Sequence, residues 1–191
     1  MSKHLLNDTR DRIEEAAILL FVEKGVTETS VRDIARAIDL SEGALYRHFA
    51  GKEELVWTLF ERHYVAFAHQ LKTVADGEFT ARAKVAAMIR EFCRAHDENP
   101  ALFRFLLFVQ HGQLSKLGPN ALTPVQVMCD VLTDAIASGE LPDQSPDLAT
   151  ALVFGVVLEP AQFSAYGQLP VGMVTLADRL AAAAWAVVTT V

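Results

Sequence analysis

The sequence predicts an all-α protein, and three observations carry that prediction. Apolar residues recur three and four apart through most of the 191 positions, as one face of a helix requires. The breaks between these stretches carry helix punctuation: Lys24-Gly25, Asn99-Pro100, Thr123-Pro124 and Ser145-Pro146. No alternating strand pattern of any length, no repeat and no low-complexity tract interrupts them. About nine helices are expected.

Taken in order, Asn7, Asp8 or Thr9 is placed to cap a first helix whose apolar stripe is Ile13, Ala16, Ala17, Leu20 and Phe21. Lys24 in its last turn and Gly25 just beyond should end it. Two short helices follow within Val31 to Lys52. Ile34, Ala35, Ile38, Leu40, Leu45 and Phe49 are their apolar positions, with a break at Asp39 to Ser41. Ser41 is a natural N-cap for the second, and Glu42 suits the positive end of its dipole. Neither helix is long enough to bury a face alone, so the pair must cross, which is a helix-turn-helix in outline.

A long helix is expected from Lys52 to about Val74, ending before Ala75-Asp76-Gly77-Glu78, and a fifth from about Thr80 to His96. Ala101 to His111 is apolar on nearly every side and should be buried. Gly112 to Leu122 reads as irregular. Val125 to Ser138 forms the seventh helix and Asp147 to about Tyr166 the eighth, where Pro160 should kink or interrupt the chain. The ninth runs from Val171 to about Thr189.

Composition sets limits on function. With 51% hydrophobic and 21% charged residues the chain belongs among globular proteins that bury a real core. Its net charge of -7 gives no support by itself to nucleic-acid binding. Residues 1 to 65 hold nine Lys and Arg against twelve Asp and Glu, so any basic surface there must come from local placement of Arg32, Arg36, Arg47 and Lys52. Cys93 and Cys129 have no metal-ligand spacing and read as small hydrophobes in a reducing compartment. The amino terminus has no apolar leader segment, and no apolar run reaches the roughly 18 residues of a membrane span. A cytoplasmic protein is therefore expected.

The string SEGALYRHFAGKEEL, with TSVRDIARAIDLS before it and a helix ending in FVEKGVTE before that, resembles the TetR family of transcriptional repressors over about Thr9 to Leu59. The resemblance implies a DNA-binding domain over residues 1–51, with its motif at about 31–50, and a ligand-binding and dimerisation domain over 52–191. It implies a homodimer on a palindromic operator of double-stranded DNA, released by a small, largely apolar effector. Carried over by position, Thr29, Ser30 and Arg32 should contact phosphates. Ser41, Glu42, Gly43, Ala44 and Arg47 fall on the recognition helix, and Tyr46, His48 and Lys52 on backbone-clamping positions. Two positions depart from the family pattern. Asp39 stands where glycine is usual, and aspartate tolerates the left-handed backbone better than most residues. Ala50-Gly51 replaces a polar cap, so the next helix should begin less firmly.

The resemblance also implies that the last two helices pair with their copies in a four-helix dimer bundle; from the residues alone, burial within one chain is the alternative. An effector pocket is expected among the long helix and helices five to eight, which carry the aromatics Trp57, Phe92, Phe103, Phe108 and Phe163, ordinary core packing being the alternative for each. Glu159 stands out within LVFGVVLEP, since a carboxylate amid apolar residues is costly unless paired; a cationic ligand, water or a dimer partner would serve. His63, Tyr64, His111, Gln162 and Tyr166 are further polar candidates. No nucleophile-base pair, metal cluster or phosphate loop is legible, so neither a catalytic residue nor a cofactor or metal is expected. A helical protein-protein adaptor, which the acidic charge would suit, and an all-α enzyme are the other function classes.

Overall fold

A computed structural model describes the backbone of residues 2–190 and the side chains from residue 9 onward. Among the described residues there are nine α-helices and no strand. They are α1 (Ser2–Lys24), α2 (Val31–Ala37), α3 (Glu42–Tyr46), α4 (Lys52–Asp76), α5 (Ala81–Glu98), α6 (Pro100–Gln113), α7 (Pro124–Ala137), α8 (Pro146–Ala165) and α9 (Met173–Thr189). A short 3-10 turn, Leu114–Lys116, lies in the stretch expected to be irregular.

The start signals fall largely where the residues put them. Ser30, Ser41, Thr80, Thr123 and Ser145 each cap a helix, their hydroxyls accepting an N–H that the helix leaves unpaired. Ser30 and Asp33 form a reciprocal capping box. Gly25 ends α1 at φ +89 with its N–H on the Phe21 carbonyl, and Asp39 takes φ +54 in the turn between α2 and α3. Two expectations are corrected. α1 begins at Ser2, well before the expected cap at Asn7, Asp8 or Thr9; the side chains of Asn7 and Asp8 lie outside the described residues. α8 passes through Pro160 without interruption. By length and composition α8 is also apolar enough to cross a membrane, although no unbroken apolar run is that long.

The chain divides into two compact units. The first comprises Met1–His63 and Ala101–Leu117. Its core holds Ile13 and Phe21 of α1, Ile34 of α2, Leu45 of α3, Phe49, and Leu55, Leu59 and Phe60 of α4, all nearly inaccessible. Each side chain of that size contributes roughly 1.5–3 kcal/mol by leaving water. α6 joins this core through Phe105, whose ring stacks on Phe21 with centroids 5.8 Å apart. α6 is not buried all round, however: Phe108 remains exposed.

A buried carboxylate also holds the first unit together. Glu14 is only 2% exposed, and it is clasped by Arg10 from its own helix at 3.0 Å and by Arg62 from α4. Two cations compensate the desolvation that one buried charge would otherwise suffer.

The second unit comprises Tyr64–Pro100 and Gly118–Val191. α5 packs along α9, α9 along α8, and α8 along α7. Val85, Leu132, Val153, Met173 and Val188 fill the space between them. The start of α9 is capped from elsewhere: Asp97, near the end of α5, accepts the Met173 N–H at 3.0 Å and the Val174 N–H at 2.9 Å. Gly172 makes that approach possible, because a Cβ there would lie 2.8 Å from the Asp97 carboxylate.

Candidate functional site

In the first unit, α2 and α3 present a surface whose exposed side chains include Arg32, Arg36, Glu42, Tyr46 and Arg47, with Gly43 open between them. Tyr46 points outward although the adjacent Leu45 and Phe49 are core. At Gly43 an added Cβ would meet nothing within 4 Å, so a flat surface approaches the backbone there unhindered. Arg32 sits 3.9 Å from Glu42, an exposed ion pair that a phosphate could displace at small cost.

Several expected contact residues have other partners. Thr29 is 1% exposed, and its hydroxyl donates to the Gly25 carbonyl at 2.8 Å, with the Leu20 carbonyl 3.2 Å away. It fixes the end of α1 instead of facing solvent. The Ser30 hydroxyl donates to Asp33 at 2.5 Å, and this bond, with the Ser30 N–H, holds the Asp33 carboxyl below its ordinary 3.8. Ala44 is buried under α3, and Ser41 serves as its cap. His48 is half-buried.

Lys52 is the most altered of the expected residues. Its ammonium donates to the Val26 carbonyl at 2.7 Å and to the Thr27 carbonyl at 3.1 Å, which ties the first turn of α4 to the loop before α2. Two of its three donors are thereby in use. The weak start expected at Ala50-Gly51 is remedied similarly, since the Glu54 carboxylate accepts the Ala50 N–H from one turn further on.

The expected effector residues fall in both units: Trp57, His63, Phe103, Phe108 and His111 in the first, and Tyr64, Phe92, Glu159, Gln162, Phe163 and Tyr166 in the second. Glu159 is exposed on α8, on the same outward face as Leu148, Leu152, Gly155, Phe163 and Tyr166. Its cost within an apolar stretch disappears because that position faces outward. Phe163 shares this exposed face, Gln162 is half-buried beside it, and His111 is exposed on α6. Tyr64, Phe92 and Phe103 are buried core residues. His63 is half-buried, and burial, helped by the neighbouring Arg62 charge, lowers its imidazole to about 4. Trp57 lies against Phe60, with the Lys116 ammonium 6.0 Å from its ring.

Among the described residues a hollow lies within each unit. In the second unit a gap between Leu71, Met88, Phe92, Met128, Phe154 and Val157 has a volume of only about 10 Å³, less than a ligand needs. In the first unit a cavity of about 420 Å³ opens between the end of α1, the start of α4 and the last two turns of α6. Of the expected effector residues, only Phe108 lines it. Among the described residues no group of three His, Cys, Asp or Glu side chains is assembled to hold a metal. Cys93 is buried, and burial with the Asp97 charge nearby pushes its thiol up to about 11.

Beside the α8 face just described, α9 exposes Asp178, Arg179, Ala182, Ala183 and Ala186, with Asp178 paired to Arg90 at 2.7 Å. Ala184, by contrast, is wholly buried within the chain.

Residues 13–57 match the family model of bacterial regulatory proteins, tetR family. An HTH-type transcriptional regulator of Staphylococcus aureus is 39% identical over 69 residues, 36% of this chain and 37% of that protein. This chain thus matches little more than a third of that relative's length. The fatty acid metabolism regulator protein of Bacillus subtilis is 26% identical over 153 residues, 78% of this chain and 79% of that one. Among solved structures, the transcriptional regulator FadR from Bacillus subtilis in complex with stearoyl-CoA shares the fold, with a TM-score of 0.74 at 19% identity over 94% of this chain and 98% of that chain.

Proposed function

The chain belongs to the tetR family of bacterial regulatory proteins, and from that premise we propose that it is a DNA-binding transcriptional regulator whose hold on duplex DNA is controlled by a small, largely apolar ligand. The single observation that carries the reading is the α2-α3 surface: Tyr46 and Arg47 exposed beside an open Gly43, on two helices crossing at a left-handed Asp39. Such a helix fits a major groove, with Arg47 placed for base edges and Tyr46 for phosphate oxygens. The chain works as a homodimer through the outward faces of α8 and α9, so that two recognition helices meet half-sites about one turn apart. Glu159 then belongs to the subunit interface. The protein acts in the cytoplasm and is not an enzyme.

The effector class follows the same relatives. A regulator named for fatty acid metabolism aligns with 78% of this chain, and the fold is shared with one that binds stearoyl-CoA. An acyl compound is the ligand class this supports. The net charge of -7 favours a helical adaptor as the second reading. Binding of the full-length protein to a mixed-sequence duplex, followed as salt rises, separates the two. A regulator should lose affinity steeply through counterion release. An adaptor should show no binding at low salt, and that result rejects the proposed function.

A further inference from the structure

We propose that the 420 Å³ cavity of the first unit binds a carboxylic acid with an apolar body of about a dozen carbons. Most of its wall is hydrocarbon, from Phe21 of α1, Val56 of α4, and Phe105, Phe108 and Val109 of α6, with polar surface at Gln113 and the main chain. At roughly 30 Å³ per small group, the share one water takes in the liquid, the space holds about fourteen such groups. Dodecanoate has that number of heavy atoms. Water fills a hollow of this size, and a chain of methylenes that displaces it from the apolar wall is favoured in proportion to the area it buries.

The polar end is specified by charge. Gln113 lines the cavity, and its side-chain oxygen accepts from the Lys116 ammonium at 3.0 Å, which stations a cation beside the wall. Arg104 lies against Phe108, its guanidinium carbon 5.8 Å from the ring centroid. Its buried Nε meets no acceptor among the described residues. A buried donor of a charged group left in this state is costly and asks for a partner. The charged side chains paired with residues of the cavity wall, Lys116, Arg104 and the Lys52 that holds Val26, are all cations, and an anionic headgroup complements them.

The position also supplies a route to the reading surface. Gly25 and Val26 line the same cavity, and the Val26 carbonyl is the acceptor that Lys52 holds. A ligand pressing on Val26 disturbs the loop from which α2 starts, all within one compact unit. This second step rests on the regulator reading; the binding step does not.

The test uses the full-length protein carrying Trp185→Phe, so that Trp57, beside Lys116, is the remaining tryptophan and reports by its fluorescence. Dodecanoate and dodecan-1-ol are titrated below their aggregation concentrations. Saturable binding of one dodecanoate per chain is expected. Lys116→Ala should weaken dodecanoate about tenfold while leaving the alcohol unchanged, as loss of one charge-assisted contact implies. Gly112→Leu should abolish both, since position 112 lines the cavity and a Cβ there meets nothing within 4 Å. Val109→Phe is a second block should that variant lose its fold by circular dichroism. Undiminished binding in a folded blocked variant, or no binding to the parent, overturns the site. Duplex affinity is measured separately with and without saturating dodecanoate: a fall in the parent, absent in the blocked variant, supports the coupling, and an unchanged affinity overturns the coupling alone.

Discussion

The Lys52 ammonium donates to the main-chain carbonyl of Val26 at 2.7 Å, across 26 positions of sequence. One side chain thus fixes the loop before α2 to the first turn of α4, and a residue expected to clamp DNA is first a clamp on the protein. Lys52→Ala should lower stability by about 1.5–3 kcal/mol, as expected for hydrogen bonds from a charged donor. It should weaken DNA binding as well. Tyr46→Ala should weaken DNA binding with stability within about 0.5 kcal/mol, because Tyr46 is exposed. Urea unfolding beside duplex titration separates the two; equal stability loss in both variants would contradict this division.

Gly43 and Arg47 should act on reading. Gly43→Ala places a methyl in open space within a helix, so stability should hold or rise by about 0.5–1 kcal/mol while duplex affinity falls. Arg47→Ala should relax discrimination at one base position by roughly 1–3 kcal/mol, measured on a panel of single-site operator variants. Unchanged preference would move base reading away from Arg47.

Asp97 should matter for the helix it caps rather than the one it ends. Burial raises its carboxyl, but the Val174 N–H, His96 and the Met173 N–H outweigh that and hold it below 3.8. Its stabilisation is accordingly present above pH 3.8 and lost as pH falls through the lower folded value. Asp97→Ala should cost about 1–2 kcal/mol and Asp97→Asn less. Hydrogen exchange at Met173 and Val174 provides the local readout.

His63 imposes a second acid limit. Burial holds its folded imidazole to about 4 against an ordinary 6.5, so between those values the unfolded chain binds more protons and stability is lost as pH falls. Melting temperatures from pH 7 to 4 should show that slope, and His63→Gln should flatten it.

The subunit face should fail without the fold failing. Leu152→Arg on the exposed side of α8 should give a monomer with unchanged helicity in sedimentation. Ala184, fully buried, is the wrong position for this test, because a charge there attacks the core of one chain.

What the sequence made legible was local. Ser41 and Thr123 announced their helices, and Asp39 carried its left-handed turn, because caps and turns are decided by residues a few positions apart. What escaped was long-range. Asp97 caps α9 from 76 positions away, Glu14 meets Arg62 across two helices, and Thr29 turns inward to the Gly25 carbonyl. None of these leaves a periodic trace. Aromatics on helices suit an effector pocket and core packing equally, and Phe92 and Phe103 are buried. Glu159 lies on the outward face of α8, one of the placements that its apolar neighbours in sequence left open.

The most direct measurement is selection of bound sequences from a pool of random duplex DNA by the purified full-length protein. An enriched inverted repeat, with half-site centres about one helical turn or a multiple of it apart, is the expected result. A folded protein that enriches no sequence, in rounds with and without dodecanoate, would contradict DNA reading by the α2-α3 surface.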